Sequence, residues 1–441
     1  MKKNVVLIVF LLLASNLIAN QISLENAKIL ALKNNPDLLA QKEELKSAKM
    51  DNLNAISGLL PSANISNSYT KYKPDQNFGA GPTAESSKSY RIQISQPLFN
   101  GGKIWLNSRI KNDALQISEQ SYQMKKLETL AEVESKYFSV LENKSLLKIA
   151  KKALQSAITN LDVAEMKYNS GIISRADYLQ LQSEKTSKEV NLIQAQNLYQ
   201  TSKLQIANFL QLAVIPELQP IEFYKYSKIL KHLQNISIEE TDNITGEIIE
   251  IGFSKNPSLK ISSISCKTGK KALLMAEGNF LPSLNLSYSK SWNKYDFMND
   301  YDDSQNLTLS ASLPLFPLVD SGTGVLKAKH NLKKTELQKI SAENGIKLSL
   351  SSSFLNLVSS AKSVSAAKKA KEQAEETYKQ MQERYSSGLI STNDLLSAQV
   401  LFISSQSQYT KSFYDFLRTK SSLMQQMGIE DTNVLYRIIQ K

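Results

Sequence analysis

Residues 103–170 contain neither proline nor glycine, and their apolar positions recur every three or four residues. Ala150, Ala157 and Ala164 occupy one heptad position while Leu154, Leu161 and Tyr168 occupy the other, so the pattern predicts a long helix with a coiled-coil seam. At about 1.5 Å per residue that helix is a rod of roughly 100 Å. A second seam places Ala367, Ala374 and Met381 on one position and Lys371, Tyr378 and Tyr385 on the other, less regularly. Residues 22–60 and 174–211 predict helices a little over half the rod's length, suited to pack end to end beside it. Elsewhere the period changes to two. Leu284, Leu286, Tyr288 and Trp292 alternate with serine and asparagine, Leu307, Leu309, Ala311 and Leu313 alternate with Thr308, Ser310 and Ser312, and Tyr90, Ile92 and Ile94 alternate with Arg91, Gln93 and Ser95. This predicts strands at about 62–72, 88–97, 283–292 and 305–314, each of the length that crosses a bilayer as a tilted barrel strand.

The elements occur twice. Asn35-Pro36 recurs as Asn256-Pro257 and Leu60-Pro61-Ser62 as Leu281-Pro282-Ser283, both at an offset of 221. Pro97-Leu98-Phe99 recurs as Pro314-Leu315-Phe316 at an offset of 217, and residues 167–183 match 384–400 at that offset with eight of 17 positions identical. Four blocks in the same order indicate a tandem duplication. Each copy reads as helix, strand, strand, long helix, tight turn and helix. Asn35 and Asn256 suit the N-cap, with Pro36 and Pro257 at the first helical position.

Composition narrows the class. With 15 Gly and 11 Pro in 441 residues the chain is neither collagen-like nor of low complexity. One cysteine, Cys266, and two histidines, His232 and His330, exclude a disulfide scaffold or zinc finger. No HExxH, GxSxG, Walker A or GxGxxG string occurs, so no catalytic residue, cofactor site or metal site is expected, and an enzyme is not expected. Lys2 and Lys3 followed by an apolar run from Val5 to Ala14 predict a signal peptide over residues 1–19, cleaved near Ala19. A membrane anchor is the alternative, although the run is short for one. The formal charge of +12 falls to +10 without Lys2 and Lys3, and the basic residues are dispersed among Glu and Gln, so nucleic acid is not an expected partner. No cysteine directly follows the apolar run, so no lipid anchor is expected.

Four membrane strands cannot close a barrel alone, and an open edge in lipid leaves backbone groups unsatisfied, so several chains are expected to share one. Tyr69, Tyr72, Tyr90, Trp292 and Tyr295 fall near strand ends, where an aromatic girdle in contact with outer-membrane lipid belongs. A soluble β-sandwich with the same alternation is the competing reading.

The duplicated Asn-Pro helix, the Leu-Pro-Ser strand start, the Pro-Leu-Phe strand exit and the Tyr-x-x-Gly-x-x-Ser turn resemble the TolC-type outer-membrane efflux proteins over residues 22–428. The resemblance implies a mainly α fold with a small β part, in which tandem-duplicated helix-strand-strand-long helix-turn-helix units form a homotrimer. Its 12 strands would make an outer-membrane β-barrel, continued by a periplasmic α-helical coiled-coil barrel. The layout would be a signal peptide (1–19), a first repeat (20–213) with its tip turn at 169–174, and an equatorial segment (214–243). A second repeat (244–428), with its turn at 386–391, and a C-terminal tail (429–441) would follow. The implied function is a passive channel-tunnel of a tripartite efflux or type I secretion system, exporting drugs or polypeptides with a periplasmic adaptor and an inner-membrane pump of RND or ABC type. A trimeric coiled-coil surface protein, structural or adhesive and without a pore, is the alternative, and a soluble periplasmic binding protein a third reading.

By the same resemblance the tip gate comprises Asp394, Asp177, Tyr385 and Tyr168, and the adaptor contact comprises Gly171, Ile172, Gly388 and Leu389. A second acidic ring would fall at Ser397 and a tethering arginine at Ile390, so the lock must differ here. The residues themselves leave another role open. Ser174 to Asp177 and Ser391 to Asp394 have capping-box spacing, and Gly171 and Gly388 suit left-handed caps. The resemblance also turns the loops at 73–88 and 293–304 toward the cell exterior, the second rich in aspartate.

Overall fold

The computed structural model describes residues 21–72, 84–213, 217–314 and 318–440. The expected signal peptide, most of the first strand-strand loop and part of the second Pro-Leu-Phe block lie outside the described residues. The chain is mostly helical with one small antiparallel sheet. The described residues divide into two compact units, each drawing on both sequence copies: those within 1–41, 123–257 and 343–441 in one, those within 42–122 and 258–342 in the other.

In chain order the elements are α1 (Leu24–Asn34), α2 (Pro36–Ser57), β1 (Ser62–Lys71), β2 (Ser86–Asn100), α3 (Lys103–Asn169) and α4 (Arg175–Phe209). A connecting segment carries a 3-10 turn (Phe223–Tyr226) and α5 (Ser227–Asn235). The second copy then gives α6 (Ile238–Lys255), α7 (Pro257–Glu277), β3 (Ser283–Tyr295), β4 (Asp302–Ser312), α8 (Leu318–Ser386) and α9 (Thr392–Met427), with α10 (Thr432–Ile439) at the end.

Local chemistry sets the boundaries. Asn35 separates α1 from α2, and its side-chain oxygen accepts from the Leu38 amide at 3.0 Å just ahead of Pro36. In the second copy Ser237 and Glu240 form a capping box at the start of α6. Asn256 interrupts the helices and donates to the Gln426 carbonyl at 2.7 Å. Gly428 ends α9 at φ 74°, with the Ile429 amide returning to the Met424 carbonyl.

In the first unit Tyr137 and Phe138 of α3, Phe354 and Leu357 of α8, and Phe413, Phe416 and Leu417 of α9 build one core with α1, α5, α6 and α10. Tyr137 shares its one hydroxyl proton between the carbonyls of Ile22 (2.9 Å) and Gln219 (2.7 Å), fastening the isolated bridge between Ile22 and Leu218. Within the same core Lys28 pairs with Glu134 at 2.7 Å, Ser421 donates to Glu134, and Lys420 is buried. Away from this core the coiled-coil seam is only half covered. Ala157, Ala164, Ala367, Ala374, Tyr378 and Tyr385 are buried, whereas Leu154 and Leu161 are half-buried and Tyr168 is exposed. On α3 one heptad position thus meets the chain's own helices and the other is left partly open, whereas on α8 Tyr378 and Tyr385 are covered at the second position as well.

In the second unit the strands run in the order β1-β2-β3-β4, each pair antiparallel, with β1 and β4 at the edges. β2 continues past Pro97 to Asn100 by means of a register shift between Pro97 and Phe99, which spares the missing proline donor. Gly101, at φ 56°, and Gly278 approach so closely that a Cβ on Gly101 would lie 2.1 Å from the Gly278 carbonyl oxygen. Below the sheet Asp113 accepts from Lys271 and Thr268 across α3 and α7.

Candidate functional site

Two arrangements carry the candidate residues, one in each unit. In the first unit the α3–α4 and α8–α9 turns are built alike. The Gly171 amide returns to the Tyr168 carbonyl (2.9 Å) and Ile172 to Lys167 (2.8 Å), and Gly388 returns to Tyr385 (3.0 Å) and Leu389 to Arg384 (2.9 Å). Both glycines sit near φ 70–75°, where other residues are strained, and a Cβ on either would meet nothing within 4 Å. The residue after each glycine is thrust outward, with Ile172 65% and Leu389 69% exposed.

Each turn is closed on its other side by a complete capping box. Ser174 Oγ donates to Asp177 Oδ2 (2.6 Å) and accepts from the Asp177 amide (3.1 Å), and Ser391 and Asp394 repeat this at 2.7 and 3.2 Å. Hydrogen bonds from the serine side chain, then from its backbone, hold the Asp394 carboxyl below the ordinary carboxylate range. Asp177 is lowered chiefly by its Ser174 hydrogen bond, with further help from Thr392. Both aspartates are therefore anions at neutral pH. They are not equivalent, since Thr392 reaches the half-buried Asp177 while Asp394 stays exposed.

Beneath the turns Ala164, Leu181, Tyr378, Tyr385, Leu395 and Ala398 form a second apolar cluster. Here the matched tyrosines separate. Tyr385 is 4% exposed, with Lys167 Nζ 4.0 Å from its ring centre and donating to its carbonyl, whereas Tyr168 is 38% exposed and stacks on Tyr178 at 5.4 Å. The Tyr385 hydroxyl is buried without a hydrogen-bond partner among the described residues. Ile390 packs against this cluster and Ser397 is exposed. Sequence reasoning passed over the polar ties between the copies. Gln180 donates to Asn393 at 2.7 Å, and buried Asn160 donates to Gln399 (3.3 Å) and the Tyr378 hydroxyl (3.4 Å). Gln182 and Gln399 are identical in the repeat, the one sequence signal that pointed there.

In the second unit, register and alternation sort the sheet into two faces. One carries Ala63, Ile65, Ile92, Ile94, Leu284, Leu286, Tyr288, Leu307, Leu309 and Ala311. The opposite face is serine, asparagine, threonine and glutamine at nearly every paired position, tied by contacts such as Ser89 to Asn293 (2.7 Å) and Ser291 to Ser304 (2.8 Å). Tyr69, Tyr90 and Trp292 lie on the apolar face toward the loop end. Tyr295 registers on the polar face, and Tyr72 bonds Ser87 there at 3.0 Å. Both edge strands leave a row of backbone groups unpaired among the described residues. Among the described residues no cluster of His, Cys, Asp or Glu could hold a metal ion, and no helix is long and apolar enough to cross a membrane.

The outer membrane efflux protein family model matches residues 29–210 and 254–429, one stretch in each copy. The outer membrane protein TolC of Salmonella enteritidis is 23% identical over 405 residues, covering 89% of this chain and 79% of that protein. The alkaline protease secretion protein AprF of Pseudomonas aeruginosa is 21% identical over 418 residues, covering 91% and 83%. Among solved structures, the Campylobacter jejuni CmeC outer membrane channel superposes with a TM-score of 0.77 at 17% identity, covering 95% of this chain and 89% of that one.

Proposed function

Since the chain belongs to the outer membrane efflux protein family, we propose that three copies assemble into one duct, their 12 strands closing a barrel and their helices a periplasmic tunnel. The protein is an outer-membrane channel for efflux or secretion that reaches into the periplasm, and it is no enzyme. The observation that carries the trimer is the sheet, which among the described residues has four strands, an apolar and a polar face and two unpaired edges. An open edge in hydrocarbon is untenable, and joining three sheets edge to edge removes every edge while turning the apolar face to lipid and the polar face to water. Tyr69, Tyr90 and Trp292 then serve as the outer girdle. The half-open heptad position on α3, at Leu154, Leu161 and Tyr168, supports the same assembly, because a neighbouring copy would cover it.

The two capped turns are the periplasmic tip in this reading. Asp394 and Asp177 would line its aperture, Tyr385 and Tyr168 would set the packing behind it, and Gly171, Ile172, Gly388 and Leu389 would offer the adaptor a close-approach backbone beside an exposed aliphatic side chain. The adaptor would connect the duct to an inner-membrane pump of RND or ABC type. Residues 20–213 and 244–428 act as the two repeats, with 214–243 and the tail from 429 at the equator. The test is the mass and conductance of detergent-extracted protein. A threefold mass with discrete conductance steps in planar bilayers is expected, and a monomer without conductance would refute the duct. A surface stalk, which the family match does not favour, would form trimers that conduct nothing.

A further inference from the structure

The polar face of the sheet is unusual in how little charge it carries. Read across the register from β1 to β4, its rows are Asn64, Gln93, Ser289 and Asn306, then Ser66, Arg91, Ser291 and Ser304, then Ser68, Ser89, Asn293 and Asp302. Among the described paired positions of this face Arg91 and Asp302 alone are charged, and Asp302 opens β4 at the loop end. Arg91 stands inside the sheet, with serine on either side, and forms no ion pair with a described residue. It is exposed, so its guanidinium is not tied down by packing.

We propose that Arg91 is the charge-selecting residue of the barrel, three copies forming a cationic ring in a hydroxyl- and amide-lined lumen and favouring anionic permeants, an inference that rests on the trimeric duct reading. Twelve strands spaced about 4.8 Å apart and tilted by about 40° close at a backbone radius of roughly 12 Å. Serine and asparagine barely protrude into that space, whereas an extended arginine reaches roughly 6–7 Å inward. The guanidinium groups thus stand about 5–6 Å from the axis, inside the Debye length of about 8 Å at physiological salt, so their field spans the whole cross-section. A charge on the opposite face would act across the barrel wall and be spent on lipid headgroups. Lys88 is such a charge, registered beside Tyr69 on the apolar side.

The test measures reversal potential under a KCl gradient with the purified full-length channel in planar bilayers, in an Asp177→Asn/Asp394→Asn background that removes the tip carboxylates. Arg91→Gln is expected to shift the chloride-to-potassium permeability ratio toward potassium by about threefold or more. Arg91→Lys should retain the parent ratio, and Lys88→Gln should leave it unchanged. A conducting parent whose ratio is unmoved by Arg91→Gln overturns the selectivity inference and leaves the duct standing, as does an equal shift in Lys88→Gln. A background protein that never conducts overturns the duct reading instead.

Discussion

The buried carboxylate of Glu134 offers the firmest energetic test of the first unit. Burial alone would raise its pKa, but the charges of Lys420 and Lys28 and the hydrogen bonds from Lys28 and Ser421 hold it below the ordinary range. Glu134→Gln keeps the shape and removes the charge that both ammonium groups face. Lys28 loses little, because Glu25 lies 3.1 Å away at the surface. Lys420 is 4% exposed, and burial already pushes its ammonium down despite Glu134. Without that carboxylate its least costly response is to lose its proton. From an unfolded pKa near 10.4 this caps the penalty at roughly 4–5 kcal/mol at pH 7, in line with the ~3–5 kcal/mol of broken buried pairs. The penalty should then shrink by about 1.4 kcal/mol for each unit of rising pH, since deprotonation becomes easier. Guanidinium unfolding of the purified protein followed by circular dichroism at pH 7, 8 and 9 reads this directly. Adding Lys420→Met should recover most of the loss at pH 7. A deficit that does not change with pH, or that persists in the double variant, would refute the reasoning. In the parent, Glu134 contributes stability that is complete above its unfolded pKa near 4.3 and is lost as pH falls through its lower folded value, so acid sensitivity should set in below about pH 4.

Four further outcomes follow from the geometry. Gly428→Ala should cost more than the ~1–2 kcal/mol of left-handed strain alone, because its Cβ would sit 2.8 Å from the Lys255 carbonyl oxygen, while Gly388→Ala should cost only the strain, and equal unfolding midpoints for the two would contradict this. Tyr378→Phe strips the hydroxyl from Ser156 (2.9 Å), Gln382 (3.0 Å) and buried Asn160 and should destabilise by about 1–3 kcal/mol. Tyr385→Phe removes a hydroxyl that has no partner among the described residues and should be neutral or stabilising by the same measurement. Asp394→Asn, alone and with Asp177→Asn, should raise resting conductance and weaken block by multivalent cations, and bilayer records identical to the parent in the double variant would leave both aspartates as caps only.

What was legible in the sequence is what local rules control. Serine three residues before aspartate gave both capping boxes, glycine gave both left-handed turns, and strict alternation of Leu284, Leu286 and Tyr288 with serine and asparagine gave the strand faces. Environment was not legible. Tyr168 and Tyr385 stand in matched strings, yet one is exposed and the other buried beside Lys167, because the repeat fixes spacing along the chain and not what packs against it. The girdle candidates show the same limit. Tyr72 and Tyr295 lie near strand ends as their positions suggested, but parity places them on the polar face, which depends on a register no single strand contains. Lys28, Glu134 and Lys420 meet from three distant stretches of chain, and no local pattern announces a contact of that kind.

The double fastening of each turn has a mechanical consequence. With the glycine cap closing one side and the serine-aspartate box the other, each helical hairpin is stiff where it reverses, so it cannot open by unravelling its end. Movement there is better made by a lever whose fulcrum lies behind the apolar cluster beneath the turns, at the larger core that holds Phe138 and Phe413. From Phe138 to Asn169 the arm is roughly 46 Å at 1.5 Å per residue, so a rotation of about 10° at the fulcrum would carry the turn roughly 8 Å. A small torque near the aromatic core is thereby geared into a displacement large enough to change the bore of an aperture, while every hydrogen bond in the turn stays made.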